Sequence, residues 1–156
     1  MMCKLGWSIS GILFIALTMM SYKFIISGSV EPIAEGDDNR QALILTPAER
    51  DLVLAEMRTF LSSVQAITEG LSNDNMLQVQ KAASTVGAQA QQGMPEPLIA
   101  KLPLSFKKLG RDIHKKFDLL ALDAEQLGDP QHSLQQLSDL MNNCVACHST
   151  YKIKVK

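Results

Sequence analysis

Residues 129–148, DPQHSLQQLSDLMNNCVACH, decide the fold that we predict for this chain. Asp129 can cap a helix, and Pro130 suits the first helical turn because its backbone angle is already helical. One face then repeats at three- and four-residue spacing, through Leu134, Leu137, Met141, Cys144 and His148. The stretch predicts an amphipathic helix whose buried face runs directly into two cysteines and a histidine.

Three more amphipathic helices are predicted before this one: helix one at about 46–69, helix two at 73–93 and helix three at 104–127. The first begins with Thr46-Pro47-Ala48-Glu49, which has the composition of a capping box. Glycine and proline mark the short connections, with a helical turn expected at 96–101. Four such helices are typical of an antiparallel four-helix bundle, so we predict an all-α domain over residues 46–156.

The N-terminal segment has the pattern of an export signal. Lys4 precedes an uncharged apolar stretch from Leu5 to Met20, and small residues at 27–29 place a cleavage site after Ser29. The alternative is an uncleaved membrane anchor, because spanning a bilayer takes roughly 20 apolar residues. We therefore predict a signal peptide or anchor at 1–29 and, from its acidic and Pro/Gly composition, a flexible leader at 30–45.

The cysteines of the last helix match a pattern with a known chemistry. Cys144-Val145-Ala146-Cys147-His148 is C-x-x-C-H, the attachment pattern of c-type haem. Residues three and four apart share a helix face, so both sulfurs can reach the two vinyl groups of one porphyrin. His148 can then bind the iron, as a proximal histidine does.

Other readings of the cysteine pair fit less well. A structural zinc site needs four protein ligands, and only His114 and His132 remain, at unsuitable spacing. A thioredoxin-type redox pair belongs in a βαβ context, which this helical sequence lacks. The formal net charge of −1 gives no indication of a nucleic-acid partner.

A C-x-x-C-H motif near the C-terminus, on the fourth helix of a bundle, resembles the cytochrome c-prime family. Small cytochromes c instead carry the motif near the N-terminus. The resemblance covers about residues 46–156 and implies one covalent haem c, a haem site at one end of the bundle and frequent homodimers. It implies electron transfer where a methionine of helix one is the sixth ligand of a low-spin iron. It implies binding of small gases such as NO or CO where the iron stays five-coordinate.

Met57 is the predicted distal iron ligand. It lies about 11 residues into helix one, roughly 16 Å from its start, on the buried stripe. A thioether is a known axial partner of His-ligated haem. In the family an arginine often precedes the distal position by four residues, and Arg50 stands four before Leu54, so Leu54 remains an alternative. Arg50 and Arg58 are both candidate partners of the haem propionates.

The resulting expectation is a periplasmic electron-transfer protein and not an enzyme. The buried face of helix one shows no acid/base group for catalysis, and His114 and His132 are expected at the surface or far from the haem. Basic residues of helix three and of the C-terminal tail would surround the haem edge and attract an acidic redox partner protein. A membrane contact is expected only if the N-terminal segment is uncleaved.

Overall fold

The computed structural model describes residues 2–28, 30–31 and 38–156. The helices are α1 Met2–Ser21, α2 Pro47–Ser72, α3 Met76–Ser84, α4 Glu96–Lys101, α5 Leu104–Gln126 and α6 Pro130–Thr150. A π-helical segment, Tyr22–Ser27, continues α1, and a 3₁₀ turn spans Ala88–Gln91. The strands are β1 Val30–Glu31, β2 Gln41–Leu45 and β3 Tyr151–Val155. The described chain is thus mostly helical, as predicted.

The two predicted helix starts are confirmed by their capping hydrogen bonds. The Glu49 amide donates to the Thr46 hydroxyl at 3.3 Å, and the Glu49 carboxylate accepts from the Thr46 amide at 2.8 Å. The Asp129 carboxylate accepts from the amide of Gln131 at 2.9 Å and from the amide of His132 at 3.2 Å. These contacts satisfy amide groups that a helix start leaves without partners.

The long helices enclose two hydrophobic clusters. Helix α2 packs on α3 and α6, and α5 packs on the same two helices. The main cluster lies among these four helices and includes Phe60, Ile67, Val79, Phe117, Leu120 and Leu140. The second cluster lies where the sheet meets α4 and the start of α2, and it includes Leu43, Leu45, Val53, Leu98, Leu102 and Tyr151.

A small sheet joins the first and last chain segments of the domain. Strand β2 pairs parallel with β3, from Gln41 opposite Tyr151 to Leu45 opposite Val155, and β1 pairs antiparallel with β2. Because β2 immediately precedes α2 and β3 immediately follows α6, the pairing brings the start of α2 next to the end of α6.

The leader predicted for residues 30–45 is therefore partly ordered. Ala42, Leu43 and Leu45 are buried in the strand, and this burial offsets the entropy lost by ordering it. The acidic run at 35–38 lies mostly outside the described residues, since only Asp38 of it is described.

Two glycines make the helix bounds differ from the prediction. Helix α2 continues through Gly70 to Ser72, and Gly70 allows a close approach of α3: a Cβ there would come within 2.9 Å of Val79. The predicted second helix ends at Ser84 instead of near 93. At Gly87 the chain passes so close to α5 that a Cβ would meet Asp118 at 1.8 Å, and Asp118 instead accepts from the Ala88 amide at 3.0 Å.

Candidate haem site

A cavity of about 770 Å³ opens at the end of the domain where α2 begins and α6 ends. Its walls come from α2, α4, α5, α6 and the loop around Met94. Most lining side chains are apolar, including Val53, Phe60, Leu102 and Phe106. Its volume lies in the range of roughly 300–1,000 Å³ that is usual for ligand and cofactor sites.

The cavity contains all three residues of the predicted attachment motif. Cys144, Cys147 and His148 line it together, as their shared helix face predicts. Cys144 packs against the main hydrophobic cluster and Cys147 against the second one. The cysteine pair therefore lies at the junction of the two clusters, and neither thiol is in a disulfide.

The electrostatics of the cysteines oppose thiolate chemistry. Burial raises the pKa of Cys147 to about 11, with a further increase from the neighbouring Cys144. Burial also raises the pKa of Cys144. Redox-active and metal-binding cysteines have lowered pKa values. Both thiols therefore stay protonated at neutral pH.

A polar cluster around the buried Asn143 side chain fixes the rotation of α6 next to the motif. The Asn143 side chain is buried and donates to the Asp112 carboxylate at 2.8 Å. It also accepts from the Lys116 ammonium at 2.9 Å. The carboxylate in turn lies 3.4 Å from that ammonium. Since Asn143 directly precedes Cys144, these bonds to α5 hold the cysteine face of α6 towards the cavity.

The His148 side chain is exposed at the cavity edge. Within the described part of the chain its imidazole makes no hydrogen bond or ion pair, so both ring nitrogens can serve a ligand. Its backbone is held from the leader: the Arg40 guanidinium donates to the His148 carbonyl at 3.3 Å. Arg40 also pairs with Asp38 at 2.8 Å, and this contact holds the pKa of that carboxyl well below its usual range. Sequence reasoning missed Arg40 because it lies in the predicted leader.

Helix α2 supplies the predicted distal face. Met57 and Leu54 both line the cavity, so both candidate distal residues meet the same space as the motif. Arg58 lines it as well. Arg50 does not line it, and its guanidinium instead pairs with Asp51 at 2.7 Å.

Two cations on α5 were not singled out as propionate partners from the sequence. Lys107 and Arg111 line the cavity, four residues apart on one helix face. Together with Arg58 they place three cationic side chains around a mostly apolar space. Only their position in the folded chain distinguishes them from the neighbouring surface lysines.

His114 corrects the sequence prediction. It was expected to face solvent, but it is only 2% exposed and lines the cavity. Its Nδ1 donates to the Val86 carbonyl at 2.7 Å, and its Nε2 lies 3.3 Å from the Glu56 carboxylate. Burial disfavours the charged ring, but these two partners outweigh it and raise the pKa of His114. Glu56 also lines the cavity, so α2 does offer one acid/base group there, contrary to the prediction.

Comparison of the chain with protein-family models, with curated proteins and with solved structures finds no match. Over residues 2–28, 30–31 and 38–156, no group of three or more His, Cys, Asp or Glu side chains is placed to hold a bare metal ion. Two thiols and one imidazole on an apolar cavity fit a porphyrin, which carries its own iron. The residues present therefore fit covalent haem c.

Proposed function

We propose that this protein is a c-type cytochrome of the cytochrome c-prime type, with an antiparallel four-helix bundle formed by α2, α3, α5 and α6. In this proposal Cys144 and Cys147 hold one covalent haem and His148 binds its iron. The observation that carries the proposal is that these three residues line one large apolar cavity together with Met57. Each S–H would add across a vinyl C=C to form a thioether, so attachment needs no leaving group.

The proposed activity is electron transfer to and from a partner protein in the periplasm, with no substrate transformed. The bound haem would supply a one-electron couple at its iron. The chain's own residues would bind and shield it: apolar walls exclude water, and His148 and Met57 offer an imidazole and a thioether from two different helices. A Met/His pair favours a higher reduction potential, as in electron-transfer cytochromes.

The charged groups of the cavity support this assignment. Arg58, Lys107 and Arg111 can neutralise two haem propionates, since guanidinium and ammonium groups pair well with carboxylates. Arg50 is the weaker candidate because it lies outside the cavity. Cationic side chains left at the rim would steer an acidic redox partner towards the haem edge.

A second candidate function is reversible binding of NO or CO. The observation that favours it is Leu54, which lines the same cavity one helical turn before Met57. If Leu54 faces the iron, the apolar side chain leaves the sixth position open to a small gas. The two functions therefore differ in which α2 residue lies over the iron.

The test is to produce the chain in a host that assembles c-type haem. The proposal expects a mass increase of one haem on the chain, and loss of the double attachment in Cys144→Ser and Cys147→Ser. Cys3→Ser is the matched control and should keep the haem, since Cys3 lies outside the motif. A colourless chain of unmodified mass would refute the proposal. Visible spectra of the reduced protein with and without CO then separate electron transfer from gas binding.

A further inference from the structure

The N-terminal helix is apolar around its whole circumference. Residues Ser10–Ser27 form a segment long and apolar enough to cross a membrane, and none of it is buried. The described large apolar side chains between Ile12 and Ile26, which leave out Phe24, are 48% to 74% exposed. A helix that packs on one protein partner keeps a polar face, whereas one surrounded by lipid does not. The Thr18 hydroxyl donates to the Phe14 carbonyl at 2.8 Å, which satisfies it inside the helix, as lipid requires.

The dimensions also match a bilayer. The 20 residues of α1 extend for roughly 30 Å, which is about the thickness of the hydrocarbon core. Tyr22 and Lys23 follow at the end nearest the domain. Tyrosine and lysine are favoured at this depth because they place an apolar stem in lipid and a polar end in the headgroups.

The joint between this helix and the domain is specifically built. Gly28 is buried at φ +65°, and a Cβ there would lie 2.5 Å from the Lys101 carbonyl oxygen and 2.6 Å from the Pro103 nitrogen. Only glycine fits this backbone conformation and this close approach. Val30 then pairs with Leu43 in the sheet and packs on the second hydrophobic cluster. A signal peptide that is removed after export would not require this close packing on the domain.

We propose that residues 1–29 stay in the mature protein as a membrane anchor, and that Gly28 docks this anchor on the α4–α5 corner. The α4–α5 corner, at the end of the domain that bears the cavity, then lies next to the lipid bilayer. The same corner lines the cavity: Ile99 and Leu102 of the α4 region and Phe106 of α5 are wall residues. The proposal rests on the packing of the N-terminal segment and holds whether or not haem is bound.

The first test uses the full chain in its natural orientation, expressed with export. A retained anchor predicts that the purified chain keeps residues 1–29 by intact mass and stays with membranes after alkaline extraction. A chain that begins at Val30 and appears in the soluble periplasmic fraction overturns the proposal. Because neither measurement needs haem, failure of haem attachment and failure of the anchor are distinguishable.

The second test addresses the joint. Gly28→Ala places a Cβ against backbone at positive φ and extended ψ, which costs roughly 1–3 kcal/mol, or about a 5- to 150-fold larger opened population. In detergent micelles, tryptic cleavage after Lys23 should accelerate by that factor. Gly11→Ala is the matched control, since nothing lies within 4 Å of its Cβ position, and it should leave the rate unchanged. Equal rates in both variants overturn the docked joint.

The third test locates the domain relative to lipid. A photoreactive benzoylphenylalanine in place of Ile99, which is 40% exposed beside the joint, should crosslink to lipid in proteoliposomes. The same residue in place of Leu127, 61% exposed beyond the far end of α5, should not. Since α5 has 23 residues, the two ends are separated by roughly 35 Å. Lipid crosslinking that is equal at the two positions, or absent at Ile99, overturns the orientation.

Discussion

Replacing Met57 by leucine separates the two proposed distal arrangements with little change in packing. Leucine has a similar volume and remains apolar, but it has no sulfur to bind iron. If Met57 is the sixth ligand, the reduced protein should change from a sharp low-spin spectrum to a broad high-spin one that shifts on addition of CO. If Leu54 faces the iron, the wild-type protein already has the high-spin spectrum and the exchange changes nothing.

The expected loss of stability is small, so a spectral change cannot be attributed to unfolding. A buried Met-to-Leu exchange costs less than about 1.5 kcal/mol. Met57 is partly buried and packs against the edge of the main cluster. We therefore expect roughly half of that limit, about 0.7 kcal/mol, and a melting-temperature decrease of about 3 °C for a domain of this size.

Two other methionines provide matched controls in the same cavity. Met94 and Met141 line it from the loop before α4 and from α6. Met94→Leu and Met141→Leu remove the same sulfur from the same space and should leave the spectrum and the CO response unchanged. An unchanged spectrum in Met57→Leu, or the low-spin to high-spin change in either control, would refute the assignment of Met57.

Three further predictions concern charge and capping. The pKa of His114 is raised in the folded protein. Its ion pair therefore stabilises the fold fully below the unfolded-state pKa of about 6.5, and this stabilisation is lost as pH rises through the folded-state pKa. The difference in urea-unfolding free energy between wild type and His114→Gln should shrink above about pH 6.5. Arg58→Gln should lower the haem reduction potential in a potentiometric titration, because a cation at the cavity favours the reduced iron, whereas Arg50→Gln should not. Thr46→Ala removes the cap of α2 and should cost about 1 kcal/mol in chemical denaturation; Thr59→Ala, in an exposed mid-helix position, should stay within about 0.5 kcal/mol.

The parts of the fold predicted correctly were those encoded by local signals. Helix α6 begins at Pro130 behind Asp129, and α5 begins at Leu104, as the caps, prolines and apolar spacing indicated. The α4 turn was found from the same kind of signal. The cysteine motif needed only helical periodicity to place its three residues on one face, and they do line one cavity.

The errors concern residues whose environment comes from distant parts of the chain. The strand at Gln41–Leu45 exists because β3, more than 100 residues later, pairs with it. His114 is followed by Lys115 and Lys116 in the sequence, yet it is buried and contacts Glu56 and Val86 on two other segments. Helix α3 ends at Ser84, and Gly87 beyond it lies close against Asp118 of α5. No local pattern reports such contacts, since periodicity describes one element and not its neighbours.

The sheet gives the motif a mechanical support that a helix end alone lacks. The last turn of a helix ordinarily frays, because its carbonyl groups have no intrahelical partners. Here His148 lies two residues before the end of α6, and Tyr151 immediately enters β3, where β2 pairs with it. Arg40, directly before β2, donates to the His148 carbonyl. Pairing with β2 thus holds the chain after the motif, and Arg40 caps the carbonyl of the motif histidine. A ligand histidine must keep its position through each change of charge at the iron. The parallel strand pair therefore stabilises the proposed site in a way that a longer α6 would not. An extended helix would only shift the frayed turn along the chain, whereas the strand pair also connects the end of α6 to the start of α2.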